Sequence, residues 1–312
     1  MAVEGGSPAS KPMWEQSSSR RRLGRVWDAF MRAVVTSAGS LAILIVLALF
    51  VFLFYEAIPI LHKVPLFAML FGAKWHPTSE PPKFGFLPMI VGSLLLTAAS
   101  CAIAIPLGLA GAIYIAEIAT PRAQAILKPA VELLAAVPSV VFGFIGLVLL
   151  APLVRQVFHL STGLTGFTAS IMLAYMALPT ILSLSDDALR AVPRGIRLGS
   201  MALGTTRWQT IRFAVLPAAR PGLLPAVMLG IGRAIGETMT VLMVAGMAGI
   251  IPHSLFQPMR SMTGTIAAEM GEAARGSDHF HALFMLGALL FLITFVINFI
   301  ADYAVRRTEA QR

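Results

Sequence analysis

From Ala33 to Tyr55 the chain runs 23 residues without a formal charge. A helix rises about 1.5 Å per residue, so about 20 apolar residues cross the hydrocarbon core of a bilayer. Comparable stretches enclose 33 residues between Lys83 and Glu117, 22 between Glu132 and Arg155, 30 between Arg155 and Asp186, and 23 between Asp278 and Asp302. A sixth apolar stretch, from Arg220 to Arg260, is interrupted by Arg233 and Glu237. Six spans are therefore expected. Composition agrees, because only 12% of residues are charged, about half of what a soluble domain carries.

Basic residues collect in cytoplasmic loops. With the N-terminus inside, 17 of the 24 Lys and Arg fall on the cytoplasmic side, six fall outside, and Arg233 lies within a span. The expected topology has both termini cytoplasmic. The net charge of +9 is then a consequence of topology and lipid contact, not of nucleic-acid binding. The expected organisation is a cytoplasmic tail over residues 1–32, a transmembrane domain over 33–305, and a short cytoplasmic tail over 306–312. Ser19-Arg20-Arg21-Arg22-Leu23 superficially resembles a twin-arginine export signal. The apolar run behind it has full span length and lacks a small-x-small cleavage site, so it reads as a retained helix.

The longest inner loop, 186–220, is read as two short amphipathic helices meeting at Gly204. Pro193 starts the first, and Thr205 or Thr206 caps the second. Met201, Ala202 and Leu203 before the glycine, and Trp208, Ile211 and Phe213 after it, put apolar surface on a loop otherwise facing water. That suits a docking element for a partner, or a basic helix pair lying on anionic lipid.

This loop resembles the coupling loop of bacterial ABC importer permeases, whose form is E-A-A, three residues, Gly, nine residues, then I-x-L-P. Gly204 and Leu216-Pro217 hold the family separation. The E-A-A positions are Leu198, Gly199 and Ser200, and Ala214 replaces the isoleucine, so the usual acid is missing. Pro138-Ser139-Val140-Val141-Phe142-Gly143-Phe144 and the run from Gly232 to Gly246 resemble, more narrowly, the PstC family of phosphate-importer permeases. The likeness spans about residues 30–305.

The resemblance implies an all-α integral membrane protein, a six-helix type I ABC importer permease bundle with a cytoplasmic coupling helix. It implies phosphate as substrate, a PstA-like second permease, a dimer of a PstB-like ATPase and an external PstS-like phosphate-binding protein. The coupling contacts would fall on Leu198, Gly199, Ser200, Gly204, Trp208, Leu216 and Pro217. The R-A-x-G-E motif is shared with sulfate and molybdate permeases, so a related oxyanion, phosphonate included, is the alternative substrate. Two other classes remain: a secondary transporter, which would show inverted repeats and more intramembrane acids, and a membrane enzyme or scaffold. No cofactor is expected. The chain holds no Walker-type glycine loop and no Gly-Lys pair, so ATP hydrolysis must belong to a partner and the subunit is not itself an enzyme.

Arg233 and Glu237, four apart on a helix, are expected to face one way and can pair. Their candidate role, with Thr238, is in the substrate pathway, where Arg233 contacts the anion while Glu237 keeps it from binding too tightly; the alternative is a self-neutralising ion pair that only locks helix packing. Gly232 and Gly236 are read as a close-packing face on the same helix. Glu117 and Glu132 are expected to be solvated helix ends. Trp75 is expected at headgroup level. His279 and His281, at i and i+2, do not share a helix face, which argues against a joint metal site.

Overall fold

A computed structural model describes residues 17–309. Its helices, in chain order, are α1 (Ser17–Leu61), α2 (Leu66–Phe71), α3 (Leu87–Ile113), α4 (Pro121–Ala135), α5 (Ser139–Ile145), α6 (Ala151–Val157), α7 (Gly166–Arg190), α8 (Arg194–Ala202), α9 (Arg207–Thr210), α10 (Leu216–Gly236), α11 (Met239–Val244), α12 (Met262–Glu269) and α13 (Asp278–Glu309). Wider π-helical turns extend α3 over Tyr114–Ile118, join α5 to α6 over Gly146–Leu150, and join α9 to α10 over Ile211–Val215. One two-residue hairpin pairs β1 (Trp75–His76) with β2 (Lys83–Phe84). The chain divides into two compact units, one through Leu53 and one from Phe54 onward. The described part of the first is a single helix.

Among the described residues, six helical stretches are long and apolar enough to cross a membrane: Trp27–Leu61, Leu87–Ile118, Ser139–Val157, Gly166–Arg190, Arg207–Gly236 and Asp278–Ile300. The structure alters the edges. Helix starts at Ser17 and persists to Glu309, inside both stretches read as polar tails; residues 1–16 and 310–312 lie outside the described part. The third span begins only at Ser139, because Pro138 holds an extended backbone (φ −60°, ψ 140°) that separates it from α4. Proline has no N–H to donate and fixes φ, so it serves well as such a boundary.

At the centre of the second unit α7 is clasped by α3 and α10. Ile181 of α7 fits between Gly108 of α3 and Gly230 of α10, where a Cβ on either glycine would overlap it. Leu182 seats on Gly111 in the same way, and Ala188 on Gly222. Ala112, Ile115, Leu182, Leu189, Val215 and Ala219 close one core layer, and Ala104, Ala174, Ala177 and Ile181 close another. Close approach without side-chain bulk is how helices gain dispersion contact where lipid supplies no hydrophobic driving force. Gly92 of α3 makes the same approach to backbone, since a Cβ there would overlap the Arg260 carbonyl oxygen. Gly92→Ala is expected to cost about 1–3 kcal/mol, read as a lowered apparent melting temperature of the detergent-solubilised protein with spans and assembly otherwise intact.

The far end of α7 carries buried Asp186, paired with Arg190 one turn on (2.9 Å) and with Lys128 of α4 (3.3 Å). Lys128 also meets Asp187 at 2.8 Å. The hydrogen bond to Asp187 is the main reason its ammonium sits above its ordinary pKa; burial opposes it, and the hydrogen bond to Asp186 adds to the rise. These ties anchor α4 across the end of the bundle.

Trp75, expected at headgroup level, faces protein and not a lipid surface. It is 4% exposed, with its ring against Phe84, Phe86 and His279. Its indole N–H donates to Glu269 at 2.9 Å. That carboxylate also holds Arg260, and His279 Nε2 stands 2.9 Å from it. A buried indole needs an acceptor, and Glu269 supplies it from a distant part of the chain. His281 Nδ1 instead meets the Glu56 carbonyl oxygen at 2.8 Å, so the two histidines serve separate partners, as their spacing requires.

Candidate functional site

Arg233 lies three residues before the end of α10, about 20 Å along the helix axis from Arg220. It is half-buried, and its Nη1 donates to the Thr180 hydroxyl of α7 at 3.4 Å. The expected pair with Glu237 does not form. α10 ends at Gly236, and Glu237 takes an extended backbone (φ −71°, ψ 129°). Its carboxylate accepts from the Thr240 N–H at 3.1 Å, and its carbonyl accepts from the Thr263 hydroxyl at 2.8 Å. The physical reason is competition. The first N–H groups of α11 have no partner in their own helix, and a carboxylate just upstream satisfies one of them, so the helix that would align the pair is not continued.

The break has neighbours that hold it. Thr240 donates its hydroxyl to the Ser139 carbonyl at 3.0 Å, tying α11 to the start of α5, and Thr238 donates to the Gly236 carbonyl at 3.3 Å. Gly232 and Gly236 are open: a Cβ on either meets nothing within 4 Å. Among the described residues they pack against no other helix, whereas Gly222 and Gly230 of the same helix do. Leu229, Gly232 and Gly236 are exposed on α10 on either side of the half-buried Arg233 in sequence. Among the described residues Arg233 has no carboxylate partner.

The 186–220 loop takes the form expected, except that Ile211, expected to add to its apolar surface, is buried at 2% exposure where the π-helical turn packs inward. α8 and α9 meet at Gly204, whose φ of +81° is a conformation that costs a side-chain-bearing residue and costs glycine little. Thr206 caps α9 in a reciprocal box with Gln209. Ser200, Thr205 and Thr210 share hydroxyl contacts at 2.9–3.2 Å that bind α8 to α9. Apolar side chains stand out from this pair: Leu203 is 86% exposed, Phe213 71%, Leu198 64% and Trp208 56%. Gly199 is open, and Leu216 and Pro217 begin α10 half-buried.

Glu117 departs from the solvated helix end expected of it. Its carboxylate receives Arg197 of α8 through Nη2 at 2.6 Å and Nε at 3.1 Å, and Arg207 donates to its carbonyl. The signal in the sequence was an acid closing an uncharged span, within reach of an arginine-rich loop. Nothing local marks which arginine it takes.

Six apolar spans, an exposed apolar helix pair and a half-buried arginine without a counter-ion among the described residues fit a polytopic transport subunit. Residues 104–310 match the family described as binding-protein-dependent transport system inner membrane component, and the chain belongs to that family. Membership makes it a multi-pass membrane subunit that works with a binding protein and an ATPase, and a transport component, not an enzyme. It is 40% identical over 297 residues to a probable ABC transporter permease, YqgH, of Bacillus subtilis, covering 95% of this chain and 96% of that one. It is 35% identical over 303 residues to the phosphate transport system permease PstC of Mesorhizobium japonicum, covering 91% of each. A solved bacterial alginate ABC transporter superposes with a TM-score of 0.62 at 16% identity, covering 91% of this chain and 99% of that one. The MetNI methionine transporter gives 0.57 at 22%, covering 74% and 99%. Those likenesses are of fold alone.

Proposed function

We propose that this chain is the PstC-type permease of an ATP-driven inorganic phosphate importer, working with a PstA-like permease, a PstB-like ATPase dimer and an external PstS-like binding protein. The observation that carries the substrate is Arg233. An intramembrane arginine costs roughly 2.5–3.5 kcal/mol even on the lenient insertion scale, and such residues normally find a partner. Among the described residues the guanidinium has only the Thr180 hydroxyl, and Gly232 and Gly236 on either side of it in sequence are open. A planar fork of donors matches an oxyanion and binds it through charge-assisted hydrogen bonds. Phosphate, in place of another oxyanion, is supported by the PstC relative.

The basic-residue asymmetry supports an orientation with both termini and the α8–α9 pair in the cytoplasm. α8 and α9 are then the surface that meets the ATPase, through Leu198, Gly199, Ser200, Gly204 and Trp208, with Leu216 and Pro217 leading the motion into α10. Arg233, Glu237 and Thr238 lie in the pathway. Glu237 acts there by ending α10, not by neutralising Arg233.

The test is uptake into proteoliposomes holding the whole complex. Phosphate is expected to enter only with ATP on the ATPase side and binding protein outside. Uptake that survived ATP depletion but collapsed with the proton gradient would overturn the importer. Transport of sulfate, molybdate or a phosphonate in preference to phosphate would overturn the substrate.

A further inference from the structure

α8 has no buried residue of its own, yet it is the helix proposed to receive the ATPase. Something other than core packing must hold it, and Arg197 does. Its Nη2 and Nε grip Glu117, its Nη1 donates to the Val192 carbonyl at 2.6 Å and its Nη2 to the Leu189 carbonyl at 2.7 Å. One side chain therefore joins α8 to the inner ends of two spans, α3 and α7. The pair is sheltered: Arg197 is 19% and Glu117 11% exposed at the side chain. Arg207, beyond the Gly204 turn, adds a second strand of the same knot by donating to the Glu117 carbonyl.

A planar guanidinium with acceptors at the ends of two spans, Glu117 and Leu189, and a third at Val192 just past α7, is stiffer in direction than an apolar contact, which slides. The geometry points to Glu117 and Arg197 as the joint through which displacement of the coupling pair reaches α3 and α7. They are positioning residues for transport, acting through the spans and not on the substrate. This rests on the importer reading above. The missing acid at Leu198 deepens the point: in this chain the acid that serves the coupling pair comes from the end of a span 80 positions away.

The experiment uses the complete complex in proteoliposomes and measures three quantities together: ATPase retained on purification, ATP turnover, and phosphate moved per ATP. Glu117→Ala and Arg197→Ala are each expected to keep the ATPase, since the exposed apolar face of α8 is unchanged. ATP turnover should continue while phosphate per ATP falls by about 5- to 150-fold, the ordinary size of coupling between two sites. The double variant should be no worse than the worse single, because residues acting as one unit are not additive. Glu117→Asp should recover part of the loss.

Unchanged phosphate per ATP in Glu117→Ala overturns the joint, as does a double variant whose loss is the product of the singles. Loss of the ATPase from either single variant also overturns it, by making the pair a builder of the docking surface. A wild-type complex that never retains an ATPase would instead overturn the importer reading itself.

Discussion

Arg233→Gln is expected to lower phosphate uptake by about 10- to 150-fold while the complex still assembles. The range follows from the net worth of a hydrogen bond to a charged group, about 1.5–3 kcal/mol. Glutamine is two bonds shorter than arginine, so the change removes the charge, the forked donor set and the 3.4 Å contact to Thr180 together. The sign of the stability effect separates function from folding. Because no carboxylate neutralises Arg233, removing its charge leaves no orphaned acid behind, and the variant should melt no lower than wild type. Arg233→Lys, which keeps charge without the planar fork, should fall between the two. Glu237→Gln should be mild, since its amide oxygen can still accept from Thr240. Reversing the two residues should not restore transport, because they are not a pair. Wild-type uptake by an assembled Arg233→Gln complex would take Arg233 out of the pathway.

The spans were legible because a bilayer reports through absence: a helix cannot carry many charges across hydrocarbon, so uncharged length marks it. The α8–α9 pair was legible for a different reason, since proline, glycine and the Thr206 cap act within a few residues of themselves. What failed to show had long-range causes. Gly232 and Gly236 have the spacing of a packing face, but spacing names no neighbour, and Ile181 and Ala188 choose Gly230 and Gly222. Trp75 carries the composition of an interfacial residue, and only the distant Glu269 makes a buried place for it.

Arg233 and Glu237 illustrate the limit most directly. Four-residue spacing implies a shared face only while the helix continues, and continuation was the untested premise. The stop at Gly236 depends on competing contacts from Thr240, Thr263 and Ser139, brought from three parts of the chain. Glu117 and Arg197 are the converse case: both were visible as charged residues, and their pairing was fixed by how α3 and α7 end beside α8.

Leu203→Asp is expected to cost the complex its ATPase, with co-purification and ATP-driven uptake each reduced by about 100-fold or more. Leu203 stands at the tip of the α8–α9 turn and is 86% exposed, so it contributes almost nothing to the fold of this chain. If a partner covers it, full burial of such a side chain is worth about 1.5–3 kcal/mol. An aspartate would forfeit that and add the cost of desolvating an unpaired carboxylate, itself several kcal/mol. The isolated permease should therefore keep its melting temperature while losing its motor. Leu203→Met, which preserves volume and apolarity, should behave like wild type. A lipid-bound helix pair predicts a different pattern: Leu203→Asp would loosen α8 from anionic vesicles and leave the ATPase attached. Retention of the motor by that variant would return α8 and α9 to the membrane surface and leave the coupling role without a site.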